Sequence, residues 1–74
     1  MKKTPQPDIC MLQAYIRHAY LAAFGKEISR KGYIEVAKDI FERPAIMPPY
    51  LRKFVIGCDS GNSSSTMLWL KQYV

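Results

Sequence analysis

The chain has 74 residues, which is enough for one small core but not for two. Of these residues 49% are hydrophobic, and this fraction excludes disorder over the whole length. Eleven Lys and Arg against six Asp and Glu give a formal charge of +5. A single histidine, and two distant cysteines without metal-ligand spacing, predict no metal site, no cofactor and no enzymatic activity.

The positive charge has two interpretations of about equal weight. It is either an ordinary imbalance on a soluble surface or an attraction to a polyanion, most simply nucleic acid. The basic residues are spread along the sequence without a run, so the fold must assemble any positive patch.

The first predicted segment is a flexible leader over residues 1–7, where Pro5 and Pro7 stand among polar residues. It contains two lysines, as a signal peptide does, but no small-residue cleavage site follows, and charged residues interrupt the next apolar run. We therefore predict neither a secretion signal nor a membrane span, and a cytoplasmic protein. Residues 8–74 are predicted to form a single helical domain.

A first helix is predicted over about residues 8–24, with Asp8 as its N-cap and Gly25 after its end. Additional apolar residues widen its apolar stripe, so we expect cover on a second side, either from another subunit or from tyrosines that expose only their hydroxyls. Cys10 and Cys58 are expected to be reduced core residues. The main stripe that we expect to face the core consists of Ile9, Leu12, Ile16, Ala19, Tyr20 and Ala23.

A second helix is predicted over residues 30–42, with Ser29 as its N-cap and a solvated face of mixed charge. Three prolines between residues 44 and 49 then rule out a helix and predict an extended connector, with Ile46 and Met47 in the core. The residues of the second helix that we expect to face inward are Tyr33, Val36, Ala37, Ile40 and Phe41.

Two short helices, over about residues 50–60 and 64–74, are predicted to complete the chain. Gly61 suits a left-handed residue that closes the first of them, and Ser63 suits a cap for the second. The predicted fold is therefore all-α, a small bundle of four helices. The expected inward residues of this pair are Leu51, Phe54, Val55 and Cys58, and then Met67, Leu70, Tyr73 and Val74.

This last stretch also has the spacing of a helix-turn-helix. Gly57 is at the small position where the two helices approach closely, Gly61 at the turn and Ser63 at the cap, while Ile56, Met67 and Leu70 are at the apolar positions between the helices. Over about twenty residues it resembles the helix-turn-helix of phage and plasmid DNA-binding regulators. The resemblance implies a transcriptional regulator that binds double-stranded DNA as a homodimer.

The serine-rich sequence GNSSST has three interpretations. It is a helix start whose hydroxyls satisfy free amides, a contact to the DNA backbone, or, with the least support, a nucleotide phosphate loop that lacks the lysine and glycine spacing of a Walker loop. The first two are weighted equally.

The helix-turn-helix resemblance implies a set of DNA contacts in this stretch. Arg52, Lys53 and Lys71 would contact phosphate, Gln72 would contact adenine, and serines would contact phosphate or a base edge. Leu68 and Trp69 are also expected to point outward. The alternative is a helical interaction module, an adaptor or inhibitor that grips a host protein through Trp69, Leu68 and the aromatic flank of the first helix. The candidate DNA-binding residues are Arg52, Lys53, Ser63, Ser64, Ser65, Trp69, Lys71 and Gln72.

Overall fold

The fold of the chain is known from a computed structural model that describes residues 7–58 and 64–74. Within these residues there are four α-helices, one short 3-10 turn and no strand, so the predicted all-α class is confirmed. None of the described helices has the length and apolar character needed to cross a membrane. The helices are α1 (Ile9–Phe24), α2 (Arg30–Glu42), α3 (Pro49–Gly57) and α4 (Ser65–Lys71), and the 3-10 turn spans Pro44–Ile46.

The ends of α1 and α2 follow from their capping residues. The side chain of Asp8 accepts a hydrogen bond from the backbone N–H of Cys10 at 3.0 Å, and that of Ser29 accepts one from Gly32 at 3.1 Å. Gly25 closes α1 in the left-handed conformation, with φ at 72°. The three capping positions predicted for α1 and α2 are therefore confirmed.

The core is built around α1, which packs against both α2 and α3, while α4 packs against α3. The α2 helix also contacts the 3-10 turn that follows it. Each of the four helices contributes completely buried side chains, so none of them is an appendage. The buried apolar residues are Leu12, Tyr15, Ile16, Ala19, Ala37, Ile40, Met47, Leu51, Val55, Met67, Trp69 and Leu70.

The last two helices are shorter than predicted. The α3 helix ends at Gly57 rather than near residue 60, and α4 occupies only part of the predicted range 64–74. Residues 58–64 lie between them, whereas a helix-turn-helix turn has about 3–4 residues. The predicted turn residues Gly61 and Asn62 lie outside the described residues, so the helix-turn-helix stays a prediction.

The proline-rich connector differs from its prediction in two ways. It contains a turn of 3-10 helix, because Pro44 begins that turn at a position where its missing N–H costs no hydrogen bond. Met47 is buried as expected, but Ile46 is 53% exposed. The turn projects Ile46 to the outside and returns the chain to the core at the next residue.

Several side chains of α1 and α2 that we expected inside are on the surface. Ile9 and Phe41 are partly exposed, and Ala23 is exposed, because these residues lie in the outer turns of their helices. Cys10 is also exposed rather than a core residue, and it and Cys58 are free thiols. The second side of α1 is therefore not covered by the other residues that the structure describes.

Candidate functional site

The orientation of α4 decides which of the predicted site residues reach the surface. The buried residues of this helix are Thr66, Met67, Trp69 and Leu70. Thr66 is 1% exposed, and its Oγ1 accepts a hydrogen bond from the backbone N–H of Asp8 at 2.9 Å. Sequence reasoning missed Thr66, because its partner lies 58 residues away and no local pattern connects the two.

Ser64 is the N-cap of α4, at the position before the helix begins. Its Oγ accepts a hydrogen bond from the backbone N–H of Met67 at 3.2 Å and lies 2.5 Å from the hydroxyl of Tyr15 on α1. At this serine the hydroxyl serves helix capping and packing, as the structural interpretation of GNSSST expects. Ser63, the cap predicted from the sequence, lies outside the described residues.

The prediction that Trp69 points away from the core is wrong. Trp69 is 7% exposed, and its ring packs against Phe41 of α2 and Tyr73, with ring centroids 6.5 and 5.5 Å apart. The periodicity of α4 alone could not predict that the ring of Phe41 on α2 would pack against Trp69. Trp69 therefore belongs to the core, and neither predicted function can use it as a surface anchor.

Four further residues on or just after α3 and α4 also differ from their predicted packing. Ile56 was expected between the helices and is 66% exposed. Gly57 was expected at a close approach, but a Cβ at this position would meet no atom of the described residues within 4 Å. Tyr73 and Val74 were also expected inside, but they are 37% and 42% exposed. The exposure of Tyr73 and Val74 follows from the orientation of α4, which buries Thr66 and Trp69 in their place.

The remaining predicted contact residues divide by exposure. Lys53, Ser65 and Gln72 are exposed, while Arg52 and Lys71 are half-buried. Arg52 and Lys53 lie on α3, Ser65 and Lys71 lie on α4, and Gln72 follows the end of α4. The two helices pack against each other. Leu68, on α4, is 50% exposed and points outward as predicted.

Within residues 7–58 and 64–74, the basic side chains are not neutralised by ion pairs. Lys2 and Lys3 lie outside the described residues, and of the other nine basic side chains none forms an ion pair in the part of the chain that the structure describes. Arg17 lies over the ring of Tyr33, with its guanidinium carbon 5.3 Å from the ring centroid. The basic groups are therefore available to an anionic partner.

A second surface, which was not predicted from the sequence, lies between α1 and α3. It is a groove of about 270 Å³ lined by six residues, and we call it the α1–α3 groove. Its signal in the sequence is the cluster of alanines near the end of α1, which was interpreted only as part of an apolar stripe. The lining residues are Ala19, Ala22, Ala23, Tyr50, Lys53 and Phe54.

An aromatic cluster forms one end of the α1–α3 groove. The ring of Tyr50 lies 5.5 Å from that of Tyr20 and 5.6 Å from that of Phe24, both edge to face, and the last two rings are 4.6 Å apart. Burial raises the pKa of the Tyr50 hydroxyl, and the neighbouring Tyr20 raises it further. The cluster is thus a packed, partly desolvated edge of the groove.

Comparison with protein-family models, with curated proteins and with solved structures finds no match to this chain. Among the described residues, no three His, Cys, Asp or Glu side chains come together in a way that would hold a metal ion. The described residues offer two candidate surfaces, the basic side chains of α3 and α4 and the α1–α3 groove.

Proposed function

We propose that the chain is a small DNA-binding protein, a transcriptional regulator with no enzymatic step. The observation that supports this proposal is the +5 charge together with basic side chains that form no ion pairs in residues 7–58 and 64–74. Such a surface attracts the phosphate backbone and releases counterions when it binds. The resemblance of the last stretch to phage and plasmid regulators supports the choice of double-stranded DNA.

The contact set that we propose is smaller than the one predicted from the sequence. Lys53, Lys71 and Arg52 contact phosphate, while Ser65 and Gln72 lie on the outer side of α4 and beyond its end, where they can reach a phosphate or a base edge. Trp69 is left out because it is buried, and the hydroxyl of Ser64 is left out because it is bonded inside the fold.

A gel shift with pooled genomic duplex fragments tests DNA binding. If three basic residues contact phosphate, the logarithm of the binding constant should fall with the logarithm of the salt concentration with a slope of about −3. Replacing two of the three, Lys53→Gln and Lys71→Gln, should weaken binding to all sequences alike and reduce that slope to about −1. The absence of any shift at low salt would remove the proposal.

The control for this experiment is the pair Lys31→Gln and Lys38→Gln on α2. Both side chains are exposed, and the pair removes the same charge at positions outside the proposed contact set. We expect its salt slope to match that of the original protein. An equal loss in both double variants would show that net charge alone, rather than a surface on α3 and α4, attracts DNA.

Association as a homodimer is the second part of the proposal. Two free copies, each with a formal charge of +5, repel each other, whereas DNA phosphates neutralise this charge. We therefore expect light scattering to show a single copy in solution and two copies on a duplex that carries a binding site. One copy per duplex under saturating conditions would contradict the dimer.

The second candidate function is a helical interaction module, an adaptor or inhibitor. The observation that favours it is the α1–α3 groove, beside which Phe24 is 54% exposed. This candidate no longer uses Trp69. A protein that fails the gel shift but retains a groove-dependent protein partner would be such a module.

A further inference from the structure

The α1–α3 groove has a shape that suits a side chain rather than a small molecule. Its volume of about 270 Å³ lies below the range of roughly 300–1,000 Å³ that is usual for ligand pockets. Three of its six lining residues are alanines of α1, which we call its alanine floor, and their short side chains leave the backbone of that helix close to any molecule in the groove. One or two apolar side chains of a polypeptide would fill it.

The walls of the groove are aromatic and already ordered. Phe54 is half-buried and packs against Tyr15, with ring centroids 6.0 Å apart, while Tyr50 is held edge to face by Tyr20 and Phe24. Rings that are fixed before binding lose little conformational freedom when a partner arrives. The groove is therefore suited to hold an aliphatic or aromatic anchor of a partner.

The charge at the groove indicates the chemistry of that partner. Lys53 is exposed at its rim, it forms no ion pair with the described residues, and no carboxylate is among the lining residues. A second copy of this chain would also carry a net formal charge of +5. A partner with negative charge beside its apolar anchor is favoured over a second copy.

We propose that the α1–α3 groove binds an acidic amphipathic helix of another protein, with an apolar side chain over the alanine floor and a carboxylate at Lys53. The proposal gives the partner chemistry for the second candidate function. It is also compatible with a DNA-binding protein, because Lys53 is the one residue that the groove shares with the proposed DNA contact set.

The test is an NMR titration of the isotope-labelled full chain with a designed amphipathic helical peptide that has leucines on one face and glutamates beside them. We expect saturable shifts centred on the amides of Ala22, Ala23 and Lys53. A peptide with lysines in place of the glutamates should bind at least about tenfold more weakly, since like charges then meet at the rim.

Two variants of equal charge separate the groove from general electrostatics. Ala23→Glu places a bulky negative group on the groove floor and should weaken binding of the glutamate peptide by about tenfold or more. Ala45→Glu makes the same change in net charge at an exposed position of the 3-10 turn, and it should leave peptide binding within about twofold. Far-UV circular dichroism confirms that both variants are folded.

Three results would overturn the proposal: no localised shifts at millimolar peptide, equal binding of the lysine peptide, or equal loss in the two variants. A dimer of the free protein that Ala23→Glu dissociates would also overturn it, because the occupant would then be a second copy. A gel shift with Ala23→Glu keeps the two proposals apart. The gel shift measures only DNA binding, whereas the NMR titration measures only peptide binding in the groove.

Discussion

At the scale of single residues, the hydrogen bond between Asp8 and Thr66 fixes where α4 begins on the fold. The hydroxyl of Thr66 accepts the backbone N–H of Asp8, and the side chain is almost completely buried. The carbonyl of Asp8 meanwhile accepts the N–H of Leu12 at 2.8 Å, so the same residue starts α1 and anchors α4. One hydroxyl thus ties the first turn of one helix to the first turn of another.

Replacing this hydroxyl by a methyl group tests the contact. Thr66→Val keeps the shape of the side chain and removes the acceptor, so we expect a loss of about 1 kcal/mol in the free energy of unfolding, measured in urea. Thr66→Ser is the control, because it keeps the hydroxyl while it loses one buried methyl group. If the valine variant is as stable as the original, the hydrogen bond does not anchor α4.

Tyr50 gives a prediction about alkaline pH. Burial first, and Tyr20 second, raise its pKa above the ordinary 10.0, so the folded state holds the proton more tightly than the unfolded chain does. The stability that this provides is complete below pH 10.0 and is lost as the pH rises through the folded pKa. As the pH rises above 10.0, the free energy of unfolding of Tyr50→Phe should therefore fall less than that of the original protein. Equal losses in the two proteins would contradict the raised pKa.

At the scale of elements, two glycines at helix ends have different roles. Gly25 has a φ of 72°, which a side chain rarely adopts, whereas Gly57 is in helical conformation with open space around it. Gly57→Ala should stabilise the protein by up to about 1 kcal/mol, because alanine has the better helix propensity. Gly25→Ala should destabilise it by about 1–2 kcal/mol.

Thermal melting of the two glycine variants checks both expectations. A destabilising Gly57→Ala would mean that another helix comes close at this position, as the helix-turn-helix pattern expects. The result bears directly on how α3 and α4 meet.

The helices that the sequence predicted well are those whose ends depend on local chemistry. For α2 the cap at Ser29 and the period of its apolar residues are local, and its predicted range of 30–42 agrees with the structure. The left-handed Gly25 likewise needs no information from the rest of the chain. Propensity and capping act over a few residues, so one sequence is enough to locate them.

The candidate site was harder to predict because it depends on how α4 is rotated about its axis. Periodicity gave Met67 and Leu70 as buried, which is confirmed, but it could not choose between the two neighbouring faces. Contacts from Asp8 and Phe41, which are distant in sequence, select the face that buries Thr66 and Trp69. The α1–α3 groove was missed for the same reason, because it exists only after α1 and α3 have packed.

At the scale of the whole molecule, Trp69 links α4 to α2 and is one of a few large buried side chains. Trp69→Ala should cost about 3–5 kcal/mol, which is comparable to the whole stability that a single core of this size usually provides. We therefore expect a largely unfolded protein without a cooperative melting transition, rather than a folded protein that has lost a partner. Trp69→Phe should keep the transition at a lower temperature, and a stable, folded alanine variant would contradict the burial of Trp69.

The contact between Asp8 and Thr66 also has a consequence for synthesis on the ribosome. It closes a loop of 58 residues, for which the entropic cost of joining the ends is about 4 kcal/mol. Because α4 leaves the exit tunnel after the other three helices, Tyr15 has no Ser64 to bond until then. A nascent chain whose residues 65–71 are still inside the ribosome therefore lacks the buried side chains of α4 and holds an incomplete core.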